Sequence, residues 1–162
     1  MSEQRQNLDH LAAIYSQKMV KVIQSDQVKK PSEADNVYTK ALGVLQERGL
    51  YALALYLLYR SGDKTARDTE KCSAEELIAT QTMAHLWAML RENALAKLKV
   101  KPEQDIQWES LNSRAHKDAI LSHFSDRLCA DDLGRMLFIK ELFEQTLIYA
   151  RYHARATPEK KD

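Results

Sequence analysis

The sequence predicts an all-α protein, a compact bundle of about six helices, and three observations carry that expectation. Its 21 leucines and 19 alanines far outnumber its 7 isoleucines and 6 valines. Leucine and alanine are strong helix formers, whereas β-branched residues favour strands. With 4 glycines and 3 prolines in 162 residues, the chain cannot supply the turns of a sandwich or barrel. Apolar residues recur at spacings of three and four through most of its length.

The first helix is expected over about residues 3–25, where Leu8, Leu11, Tyr15, Met19 and Val22 form one apolar stripe. Ser25 to Ser32 carries Asp26, Lys29, Lys30 and Pro31 and reads as a loop. Ser32 then caps a second helix over about 33–47, with Val37, Ala41, Val44 and Leu45 on its apolar face. Gly49 stops or sharply bends the chain, because glycine tolerates positive φ. Leu50 to Arg60 follows as a helix that is apolar almost all round, as buried elements are. Gly62 to Cys72 is charged and reads as an exposed loop.

Ser73 and Glu76 form a capping box for a helix reaching about Leu98, with Leu77, Met83, Ala84, Trp87, Leu90 and Ala94 inward. Lys97 to Gln104 is a connector. A fifth helix over about 106–128 presents Trp108, Leu111, Ala115, Ile120, Phe124 and Leu128. Asp131 or Asp132 caps the sixth, which runs to about Ala156. Its apolar density makes it the expected central helix, with Phe143 and Leu147 in the core beside Trp87. Residues 1–162 read as one domain with a frayed tail over about 157–162, where Pro158 precedes charged residues.

A net charge of +1 excludes a bulk polybasic binder of nucleic acid but leaves room for a basic stripe balanced by acids elsewhere. Cys72 and Cys129 match no disulfide framework or zinc spacing and read as thiols of a reducing cytoplasm. The N-terminus is polar, and the longest apolar run, Leu50 to Tyr59, is too short for a membrane span. No glutamate has a histidine three residues later, as a di-metal bundle requires, and HExxH, P-loop and GxGxxG are absent. His116 and His123 are seven apart and read as a surface or hydrogen-bonded pair. The expectation is a non-enzyme without metal or cofactor.

Cationic side chains are the remaining signal. Lys140, Arg151 and Arg155 fall within about 60° of one another around the sixth helix, with Glu144 among them. Lys18 and Lys21 lie on the first helix, and Arg48 ends the second. These six, Lys18, Lys21, Arg48, Lys140, Arg151 and Arg155, are the candidate contacts to a nucleic-acid backbone, which needs cations but no base readout.

The run Tyr38-Thr39-Lys40, then Leu45-Gln46-Glu47-Arg48-Gly49-Leu50-Tyr51-Ala52-Leu53-Ala54-Leu55-Tyr56-Leu57-Leu58, resembles the small helical subunit of Cmr, the type III-B CRISPR effector complex. In that family a Tyr-led helix meets a Gly-Leu break and then an apolar helix. Leu137-Phe138-Ile139-Lys140-Glu141 and Tyr149-Ala150-Arg151-Tyr152-His153-Ala154-Arg155-Ala156 resemble its closing helix. Tyr56 stands where the family more often has Phe, and Tyr149 where Trp is usual. The resemblance implies a non-catalytic subunit that stacks in several copies beside other effector subunits. It would border the duplex of CRISPR RNA and target RNA, with cleavage left to another subunit. Without the resemblance, the same residues also fit a helical protein–protein adaptor that binds no nucleic acid, or the small subunit of another CRISPR type.

Overall fold

The computed structural model describes residues 2–62, 72–103 and 114–160, with side chains described over 8–62, 72–103 and 116–160. Six α-helices follow in order among the described residues: α1 Ser2–Val20, α2 Pro31–Arg48, α3 Leu50–Arg60, α4 Ala74–Met89, α5 Arg114–His123 and α6 Leu133–Ala156. Tight 3-10 turns over Lys21–Gln24 and Asn93–Leu98 follow α1 and α4, and a wider π turn over Phe124–Leu128 continues α5. No described residue lies in a strand, so the all-α expectation holds.

Helix α6 is the axis of the bundle. It packs along both α1 and α2. Ile139, Leu142, Phe143, Thr146, Leu147, Ala150 and Ala154 recur at three and four and are all buried. Phe143 and Leu147 have no exposed surface, and the Phe143 ring meets Phe124 at 6.4 Å between centroids. Trp87 is buried too, as expected. Ala150 and Ala154 leave room for close approach of neighbouring helices. The one hydroxyl in the stripe is satisfied locally: Thr146 donates to the Leu142 carbonyl at 2.7 Å.

Gly49 ends one helix and begins the next. Its amide donates to the Leu45 carbonyl at 3.0 Å, and its carbonyl accepts the Leu53 amide at 3.1 Å. Its φ of 96° and ψ of −172° lie in a region that only glycine occupies readily. Helix α3 thereby leaves α2 at an angle with no loop, and Leu50, Leu53, Ala54, Leu57 and Leu58 turn inward. Its outer row stays open: Tyr51, Leu55 and Tyr59 are exposed, Tyr59 to 79%.

The ends of three helices differ from the pattern reading. Helix α1 stops at Val20, and the 3-10 turn buries the adjacent Val22 and Ile23, which an α-helix would set about 100° apart. Helix α2 starts at Pro31 and not after Ser32, because proline suits the first helical position. The Glu33 carboxylate accepts the Lys29 and Lys30 amides at 2.9 and 3.2 Å. Helix α4 ends at Met89 instead of near Leu98, and the chain turns so that Leu90 and Leu95 both reach the core. Glu92, at that turn, accepts the Tyr15 hydroxyl at 2.5 Å, a tertiary bond that no local pattern signals. The caps at Ser73 and Asp132 are as expected, each side chain accepting an amide of the first turn. Most of the fifth helix before Arg114, with Trp108 and Leu111, lies outside the described residues, as does most of the charged loop after Gly62. Lys160 ties the chain after α6 to the α1–α2 connection by donating to the Ser25 and Val28 carbonyls.

Two glycines should respond oppositely to alanine. An added Cβ at either meets nothing within 4 Å, so backbone alone decides. Gly49→Ala should cost about 1–3 kcal/mol through its φ. Gly43→Ala, inside α2, should gain about 0.5–1 kcal/mol. Urea unfolding followed by circular dichroism measures both.

Candidate nucleic-acid interface

The candidate cations fall into two groups. On the C-terminal half of α6, Arg151 and Arg155 both reach Asp35 of α2, at 3.7 and 3.1 Å. They are one helical turn apart, so a single carboxylate on the neighbouring helix can lie between them. Arg155 Nε donates to Asp35 Oδ2. Lys140 pairs with Glu144 on its own helix at 3.8 Å. These three cations serve contacts within the fold, and the α2–α6 contact includes an ionic clamp.

Lys18, Lys21 and Arg48 are exposed and have no acidic partner among the described residues. Arg48 lies in the last turn of α2. Lys18 and Lys21 share one wall of a cleft of about 410 Å³, lined by Lys18, Lys21, Val22, Ser25, Leu77, Gln81 and His85. No carboxylate is among these residues. The Lys18 ammonium sits 4.5 Å above the Tyr15 ring, which fixes its direction. Tyr15 is anchored in turn by Glu92. His85 enters from α4 and is half-buried. Burial first, and the charges of Lys18 and Lys21 second, hold its imidazole below the usual value of 6.5. The cleft is therefore a place where positive charge repels positive charge and an anion relieves it.

The other clefts have different chemistry. A cleft of about 510 Å³ between Trp87, Pro102 and the end of α5 contains Glu103, Asp126 and Arg127, the last paired with Glu103 at 3.4 Å. His123 there is structural. Its Nε2 lies 2.7 Å from the Val100 carbonyl, which can only accept, so that nitrogen carries the proton. Its ring meets Trp87 edge-on at 5.1 Å, and burial is the main cause of its lowered pKa. A third cleft, between Leu8, Leu11, Leu95, Leu98 and Phe138, is mainly apolar. Cys72 is half-buried and Cys129 exposed, and neither forms a disulfide. Among the described residues no group of three His, Cys, Asp or Glu side chains is placed to share a metal ion. No helix of the described residues is long and apolar enough to cross a membrane.

Comparison with protein-family models, curated proteins and solved structures finds no match to this chain. The site must therefore be read from its own residues. The sequence singled out Lys18 and Lys21 on the first helix it predicts, although Lys21 lies in the 3-10 turn that follows α1. Sequence reasoning missed His85 and Asp35, since both act across helix pairs and neither belongs to a spacing pattern.

Two stability experiments follow. Arg151→Glu with Arg155→Glu removes both ionic partners of Asp35, leaving the Thr39 hydroxyl, and adds two carboxylates beside it. The expected loss is about 1–3 kcal/mol, a drop in Tm of about 2–12 °C for a chain of this size. Lys18→Glu with Lys21→Glu should shift stability by less than about 1 kcal/mol. The second experiment is a pH series. His85 and His123 have folded-state pKa values below 6.5, so below that pH the unfolded chain binds more protons. Stability should fall as pH drops from about 6.5, and His85→Gln with His123→Gln should flatten that slope.

Proposed function

We propose that this chain is a non-catalytic helical subunit of a ribonucleoprotein, holding RNA by its phosphate backbone. The observation that carries this reading is the carboxylate-free cleft in which Lys18 and Lys21 stand exposed beside His85. Backbone contact needs cations at helix surfaces and no base-reading geometry. In a complex where base pairing supplies specificity, that is the only contact such a subunit has to make. The resemblance of the Tyr38–Leu58 and Leu137–Ala156 stretches to the Cmr small subunit supports the finer reading, a component of a type III-B CRISPR effector in antiviral defence. Arg48, exposed where α2 ends, extends the cationic set. Lys140, Arg151 and Arg155 drop out of the contact list, because acids inside the fold already hold them.

One copy offers few phosphate contacts, so useful affinity comes from several copies along one strand. The exposed row Tyr51, Leu55 and Tyr59 on α3 supports contact between copies, being the kind of apolar surface that protein interfaces cover. The same row favours a second reading, a protein–protein adaptor without RNA.

Binding of single-stranded RNA at several salt concentrations separates the two. The wild type should bind weakly, with log K falling as log salt rises. Lys18→Glu with Lys21→Glu should weaken binding about tenfold or more and reduce the slope by about 1–2. Leu55→Glu with Tyr59→Glu should lower the self-associated fraction in sedimentation while leaving the affinity of a single copy unchanged. An unchanged salt slope in the lysine variant, with self-association lost in the α3 variant, selects the adaptor.

A further inference from the structure

We propose that the Lys18–Lys21–His85 cleft is a proton-linked site for an anion of the phosphate class, in which His85 takes up a proton from solvent as the anion binds. The inference rests on the RNA reading only for the identity of the anion.

Three features of the cleft lead there. Lys18 at the end of α1 and Lys21 in the following turn face α4 across a cavity of about 410 Å³, ample for a tetrahedral oxyanion or one backbone phosphate. Gln81, also in its lining, adds an amide that can donate to oxygen, while the Ser25 hydroxyl is given to Gln27. His85 lies between these walls, half out of water, and the charged groups acting on it are the two lysines. The nearest tyrosine, Tyr15, is under Lys18 and gives its hydroxyl to Glu92. Without an anion, partial burial first and the two lysine charges second hold the imidazole below its usual value, so that it is neutral near pH 7. An anion between the lysines cancels their repulsion and offers an acceptor for an imidazolium N–H. Protonation and anion binding then favour each other by the same factor, as linkage requires. The pH dependence near neutrality then reports on the histidine.

A free oxyanion and a backbone phosphodiester share this chemistry, and two measurements separate them. Sulfate is the first probe, because it does not titrate near neutrality. The assigned His85 ring resonances are followed against pH in sodium sulfate and in sodium chloride of equal ionic strength. Sulfate should raise the His85 pKa by about half a unit or more, while the resonances of His123, in the acid-containing cleft, titrate alike in both salts. Lys18→Met with Lys21→Met should raise the His85 value in chloride and abolish the sulfate effect.

Oligouridine RNA is the second probe, since its bases do not titrate in this range. Wild-type affinity should increase at least about threefold from pH 8 to pH 6. His85→Gln should lose most of that increase, its affinities at pH 8 and pH 6 differing by less than about twofold. A sulfate effect without RNA binding supports the site and overturns the RNA reading. RNA binding with the same pH slope in wild type and His85→Gln, and no sulfate effect, overturns the site and leaves the RNA reading standing.

Discussion

Burial of one face of α6 against α1 and α2 is the constraint on which the bundle depends. Ile139, Leu142, Phe143, Leu147, Ala150 and Ala154 give that helix a single continuous apolar stripe. Helices α1 and α2 must therefore lie along it, and the chain between them must turn within the ten residues 21–30. The tight turn after α1 follows from that demand. So does the position of Lys21, which leaves α1's register and joins Lys18 at the rim of the cleft. The glycine at the end of α2 adopts a positive φ that lets α3 fold back over α4.

Electrostatics then divides the cations according to their distance from this packing. Asp35 lies on α2 where it faces α6, and two arginines one turn apart on α6 meet it. At about 3–4 Å and an effective dielectric of about 20, each attraction is gross worth about 4–5 kcal/mol. Desolvation and side-chain ordering leave about 1 kcal/mol or less of that for partly exposed pairs. The value of the clamp is chiefly one of place: it commits Arg151 and Arg155 to the fold. Lys18 and Lys21 lie beyond the α2–α6 contact, meet no acid among the described residues, and face a histidine. Their charge is available to something outside the chain.

The sequence made the bundle legible because its signals were local. The stripe of α6, the cap at Ser73, and the break at Gly49 each depend on residues a few positions apart. Helix ends were less legible where tertiary contacts overrode periodicity, as at Glu92, whose bond to Tyr15 joins residues 77 apart. The candidate site was half legible. Positive residues on one helical face were visible as a row, but whether a carboxylate from another helix answers them was not. Arg151 and Arg155 looked as available as Lys18 and Lys21 until Asp35 was seen between them. His85 gave no signal, because a lone histidine on an apolar helix is unremarkable until its neighbours from α1 are known.

The most direct test of this division is to map in one experiment which surface, if any, meets RNA. A uniformly nitrogen-15-labelled chain is titrated with single-stranded RNA, and backbone amide shifts are followed residue by residue. The expected result is a contiguous set of perturbations over the end of α1, residues 21–25 and the Leu77–His85 face of α4, with the Arg151–Arg155 turn of α6 unmoved. Perturbations concentrated on that turn, or spread evenly without a focus at Lys18, Lys21 and His85, would contradict it.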